Sequence, residues 1–118
     1  MENMVMKKFM VLYQSPFSAS EKMAESSPEK MQASMQEWMA WREKSGGEAK
    51  VEFGMPLEKG KHIEGSEVSD PTTTVSGYSI IQAESLDDAA ELLKDHPHLK
   101  APAGTSIEVL EFLPMPGM

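Results

Sequence analysis

Residues Gly77 to Leu99 read GYSIIQAESLDDAAELLKDHPHL, and the fold is decided within them. Tyr78 to Glu84 alternates as a strand does, with Tyr78 facing alongside Ile80, and Ser79 alongside Ile81 and Ala83. Ser85 then stands three residues before Asp88, an acidic form of the capping box, and Leu86, Ala89, Ala90 and Leu93 recur behind it at helical spacing as the expected buried stripe. Asp95-His96-Pro97 ends the helix, because the residue before a proline is pushed out of the helical region. A strand that runs straight into a capped amphipathic helix is half of a crossover unit, so the question becomes what flanks it.

On the carboxyl side, Thr105 to Leu113 is a strand with Ile107 and Val109 on one face and Leu110 and Phe112 on the other, stopped by Pro114 and Pro116. On the amino side, residues 58–76 are the least regular part, holding Gly65, Asp70-Pro71 and three consecutive threonines, and read as a mobile loop or a loose hairpin. Val51 to Leu57 is a short strand broken by Gly54 and Pro56, which suits an edge or a bulge. Before it, Ser26 or Ser27 caps a helix with Pro28 in its first turn and Glu29 near its positive end, and Gly46-Gly47 stops it. Gln14 to Ser27 reads as a loop, and Val5 to Tyr13 as a strand that is apolar on both faces.

The order strand, helix, strand, strand, helix, strand predicts an α+β, ferredoxin-like βαββαβ sandwich in one domain over residues 1–118, with a Pro/Met-rich tail at 114–118. Helices cover only one face of such a sheet, while the first and last strands are apolar on both. A second copy packed face to face would bury the other side, so a homodimer is the expected unit.

Composition narrows the partners. Nineteen acidic against eleven basic residues give a net charge of −8, which repels phosphate backbones and anionic lipid, so neither nucleic acid nor a membrane surface is an expected partner. No run approaches the roughly eighteen apolar residues of a membrane span, and nothing at the amino terminus reads as an address, so a cytoplasmic protein is expected. The absence of cysteine excludes disulfides, thiolate metal sites and cysteine nucleophiles. Eleven methionines against two tryptophans, two tyrosines and four phenylalanines are the oddity of the composition. Met31, Met35, Trp38 and Met39 share one helical stripe with Arg42, read either as core or as a ligand-binding wall, with core expected. Met6 and Met10 of the first strand are expected to meet that stripe in one layer between helix and sheet.

MKKFMVLYQSP at residues 6–16, the 77–99 stretch and SIEVLEFLPMPGM at 106–118 together resemble the YCII-related proteins, also called YciI-like or DGPF-type. The resemblance runs from Met6 to Met118 and implies a ferredoxin-like subunit that pairs into a dimeric α+β barrel. In that family a histidine of the first helix and an aspartate just before the proline after the second helix have been proposed as a catalytic pair. Here no histidine lies between Pro28 and Ser45, His96 precedes Pro97 with Asp95 one step earlier, and the signature is reduced to Ser69-Asp70-Pro71-Thr72.

The chemistry-bearing candidates are few. The histidines are His62, His96 and His98, and two of them flank Pro97. An extended His-Pro-His would place both imidazoles on one side, with Asp95 near, so the turn is open to three readings. It could be a metal site completed by His62 or a carboxylate, a structural turn with protonated His96 at the negative end of the helix and His98 and Leu99 packed against the sheet, or an acid/base group of a pocket, His96, His98 and Asp95 being its catalytic candidates. Neither a metal nor a cofactor is expected. Tyr13, Tyr78 and Trp38 are candidate ligand contacts; Trp38 and Trp41, one turn apart on the helix, could line a cleft, with core packing or the dimer seam the expected role. Glu108, facing with Leu110 and Phe112 and expected to be partly buried, is either a base in a ligand site or the partner of Lys7 or Lys8. No nucleophile elbow, phosphate-binding loop or dinucleotide spacing is present. Two functions follow: a dimeric module that binds a small molecule or a partner, or a small cofactor-free enzyme performing lyase-, isomerase- or dehalogenase-like proton transfer with a turn histidine.

Overall fold

The computed structural model describes residues 6–17, 21, 24, 26–100 and 104–114. Its elements are β1 (Lys7–Gln14), α1 (Pro28–Lys44), β2 (Val51–Pro56), β3 (His62–Glu64), β4 (Glu67–Ser69), β5 (Val75–Ala83), α2 (Leu86–Leu93) and β6 (Ser106–Glu111). The expected start at Val5 and most of the carboxyl-terminal tail lie outside the described residues.

Four strands form one antiparallel sheet in the order β2-β5-β1-β6, so β1 and β2 are separated by β5. This is the α+β ferredoxin-like arrangement that the strand and helix order implies. β3 and β4 make a separate hairpin, Ile63 opposite Val68, which resolves the irregular region 58–76 in favour of the hairpin. β2 is an edge strand whose register slips between Phe53 and Pro56, as Gly54 and Pro56 suggested.

Local signals set the helix ends. Ser27 Oγ accepts the Lys30 amide at 3.1 Å ahead of Pro28, and Ser85 Oγ accepts the Asp88 amide at 3.1 Å. Phe9, Val11 and Tyr13 of β1, Val51 of β2, Ile81 and Ala83 of β5, Ala89 and Leu93 of α2 and Trp41 of α1 form the core on the helix face of the sheet. In α2 the buried stripe is narrower than the spacing suggested, since Leu86 and Ala90 are exposed.

The methionine layer is not there. In α1 Trp41 is buried, whereas Met31, Met35 and Met39 are exposed, Met35 by 65%. Met6 and Met10 are only half-buried, and Met10 alternates with Phe9 and Val11, which puts it on the sheet face away from the helices. Helical periodicity identified the apolar side of α1 but not its distance from the sheet. The helix is anchored near its carboxyl end, where the Trp41 indole N–H donates to the Leu92 carbonyl at 2.9 Å and Trp38 leans on Tyr13. Its earlier turns border a gap.

Candidate functional site

That gap is a cleft of about 810 Å³ between α1 and the β2–β5–β1 side of the sheet. Its walls include Met31, Met35 and Met39 from α1, Phe53 and Met55 from β2, and Phe17. Methionine is the side chain that adapts to the shape of an apolar guest, so a methionine stripe left facing a cleft has a use that a core stripe lacks.

At the inner end lies a polar cluster assembled from distant parts of the chain. His96 is fully buried, with Trp41 at 4.3 Å, Trp38 at 4.4 Å and Tyr13 at 4.9 Å between ring centroids. Its Nδ1 accepts the His98 backbone N–H at 2.9 Å, and its Nε2 meets Tyr13 Oη at 3.0 Å. Burial, with the neighbouring His98 adding to it, holds the His96 imidazole down at about 3, so the ring is neutral at ordinary pH. A neutral ring whose Nδ1 accepts must carry its hydrogen on Nε2, and His96 therefore donates to Tyr13. Tyr13 Oη in turn meets Ser79 Oγ at 2.8 Å. Burial pushes the Tyr13 phenol up to about 12, only partly offset by that bond, so it stays protonated and acts as a hydrogen-bonding group. His98 is buried beside it, and its Nε2–H donates to the Gln14 carbonyl at 2.8 Å.

The bulges bring this cluster to the cleft. β1 slips against β5 at Tyr13/Gln14 and β2 slips against β5 between Phe53 and Pro56, and Tyr13 and Pro56 both stand opposite Gly77, so the two irregularities fall at the same end of the sheet. Tyr13, Ser79 and His98 all border the cleft there.

The protein's fold is similar to that of 5-chloro-2-hydroxyhydroquinone dehydrochlorinase (TftG) from Burkholderia phenoliruptrix AC1100, solved in complex with 2,5-dihydroxybenzoquinone. Identity is 20%, over 86% of this chain and 90% of that one, with a TM-score of 0.46. No protein-family model and no curated protein matches the chain.

Of the residues singled out in the sequence, Tyr13, His96, His98 and Trp38 come together. Tyr78 reaches the cleft from the side, its ring lying over Gly54, where a Cβ would sit 2.4 Å from the ring atoms. Gly54→Ala is accordingly expected to displace Tyr78 and cost about 1–3 kcal/mol in urea denaturation. Asp95 is not part of the cluster: its exposed carboxylate pairs with Lys44 at 3.3 Å, because the helix end turns it outward while His96 turns in. Glu108 is exposed on the opposite face of the sheet and accepts from Gln14 Nε2 at 2.6 Å. It is not the partner of Lys7, which meets Glu111 at 3.7 Å.

The His-Pro-His segment is not extended, since Pro97–Lys100 is a short 3₁₀ turn. His96 does not sit protonated at the helix end, because the ring points into the core. His62 lies in the β3–β4 hairpin against Glu64, and no group of three metal-ligating side chains occurs among the described residues. Nor is any helix among them long and apolar enough to cross a membrane.

Ser79, Phe53, Met55 and Phe17 went unremarked in the sequence as site residues. Ser79 did carry a signal: a lone serine on the face shared with Ile81 and Ala83 is a buried hydroxyl that must find a partner.

Proposed function

We propose that this chain is a YCII-like, dimeric module that binds a small, largely apolar molecule in the cleft between α1 and the sheet. The observation that carries the reading is an 810 Å³ cleft walled by exposed methionines and aromatic side chains, with Tyr13, Ser79 and His98 among the polar residues that line it. That mixture of an apolar wall and a few convergent polar atoms is what a small-molecule site requires. The state of His96 favours binding over proton transfer at that residue: its Nδ1 lone pair is engaged and its basicity is low.

A neutral fluorescent probe, N-phenyl-1-naphthylamine, tests it. Met35 and Met39 are exposed, so replacing both with glutamate should leave the melting temperature nearly unchanged while weakening the probe at least about tenfold by placing carboxylates on the apolar wall. A variant that binds the probe as the parent does would overturn the reading.

The runner-up, a cofactor-free acid/base enzyme, falls to His98, a residue of the cleft lining. It predicts turnover that His98→Gln abolishes while leaving probe binding intact.

Dimerisation through the sheet face away from the helices is the other half of the proposal. Met10 and Leu110 are directly paired there, Leu12 and Ile80 are half-buried, and Leu110 is 54% exposed. Wild type should sediment as a dimer at micromolar concentration and Leu110→Arg as a monomer, since the charge would be buried in the interface. A monomeric wild type contradicts this part alone.

A further inference from the structure

The cleft lining is charged in the opposite sense to the chain, and from this we infer the class of guest: an amphipathic carboxylate, its apolar body against the methionine wall and its headgroup at Lys30. The inference rests on the cleft being a binding site. The sequence holds nineteen acidic residues against eleven basic ones, yet among the described residues no carboxylate lines the cleft, and Lys30 is the one lysine, arginine, aspartate or glutamate that does. An anion is repelled over much of such a surface but not by the cleft wall, whereas a cationic guest would find no counter-charge inside.

The geometry of α1 puts that charge at one end of an apolar track. Met31, Met35 and Met39 follow one another at four-residue steps, and so do Lys30, Ser34 and Trp38, so two adjacent rows of the same helix side line the cleft. The second row grades from Trp38, packed on Tyr13 and His96, through Ser34 to Lys30 in the exposed first turn. Eight residues at 1.5 Å rise set Lys30 about 12 Å from Trp38 along the helix axis. That is close to the extended length of decanoate, so a tail that reaches Trp38 brings a carboxylate to the Lys30 ammonium. Among the described residues no carboxylate forms an ion pair with that ammonium, and the neighbouring Glu29 is exposed and outside the lining. Because Lys30 is exposed, the headgroup stays hydrated and neither charge has to be buried.

Decanoate and 1-decanol share a chain and differ in headgroup charge, and their displacement of N-phenyl-1-naphthylamine at pH 7.5 and low salt, below the concentrations at which either aggregates, tests this. The ratio of decanoate to decanol affinity should fall about three- to fivefold on Lys30→Gln, the worth of one exposed ion pair, and about tenfold or more on Lys30→Glu, which sets like charges together. In the wild type it should also fall when sodium chloride is raised to about 0.5 M. Lys94→Glu makes the same charge change outside the lining and should leave the ratio within about twofold of the wild type. A ratio that neither Lys30 substitution lowers, an equal fall in Lys94→Glu, or a wild type from which decanoate fails to displace the probe overturns the headgroup assignment and leaves the cleft standing. Failure of the probe itself to bind overturns the cleft reading and this inference with it.

Discussion

Replacing His96 with alanine is expected to cost the fold about 3–4 kcal/mol, measured by urea denaturation, and to lower the melting temperature by roughly 10 °C or more. The ring is fully buried and packed on three sides by Trp38, Trp41 and Tyr13, so its removal leaves a cavity whose aromatic walls cannot collapse freely. The substitution also strips the His98 backbone N–H of its acceptor and Tyr13 of a donor. Against a typical domain stability of about 5–15 kcal/mol that is a large fraction. A loss under about 1 kcal/mol would mean that the ring is not the packed, doubly bonded group described above.

The second large effect is on acid stability. In the unfolded chain a histidine takes a proton near 6.5, whereas burial holds the folded His96 at about 3. Between those values the unfolded state binds the extra proton, so stability rises with pH. The contribution is fully present above about 6.5 and is lost as the pH falls through that window toward about 3. The slope from this one group approaches about 1.4 kcal/mol per pH unit, so moving from pH 7 to pH 4.5 should remove about 2–3 kcal/mol. Carboxylates also titrate toward the lower end of the window. The comparison with His96→Gln, which has no titrating group at that position, isolates the histidine term: the variant should show the shallower loss. Parallel pH profiles would contradict the buried neutral ring.

The fold was largely legible, for identifiable reasons. Ser85 and Asp88, the alternation of Ser79, Ile81 and Ala83, and the Pro97 stop are short-range signals that act on the backbone directly, and the elements they mark lie within a residue or a few of where they form. The strand order followed because few topologies connect such elements without crossing.

Burial was less legible. A stripe of Met31, Met35 and Met39 is apolar whether it meets the sheet or faces a cleft, and only the anchoring of α1 through Trp41 distinguishes the two. The candidate site was half visible. Tyr13, Trp38, His96 and His98 carry unusual chemistry and drew notice as types, but the contact between Tyr13 and His96 spans 83 residues and depends on where the 3₁₀ turn docks beneath β1. Asp95 shows the limit of adjacency: one residue from His96, it faces solvent because the chain rotates between them.

The central claim is that His96 is a neutral, hydrogen-bonded ring that anchors the turn behind an apolar cleft. Long-range proton–nitrogen correlation spectra of the imidazole rings, recorded from pH 7.5 down to pH 4.5, test it most directly. The account predicts His96 as the Nε2–H tautomer, with Nδ1 at the shift of an accepting nitrogen and no titration across that range. A His96 ring that carries its hydrogen on Nδ1, or that titrates near 6.5, would contradict it.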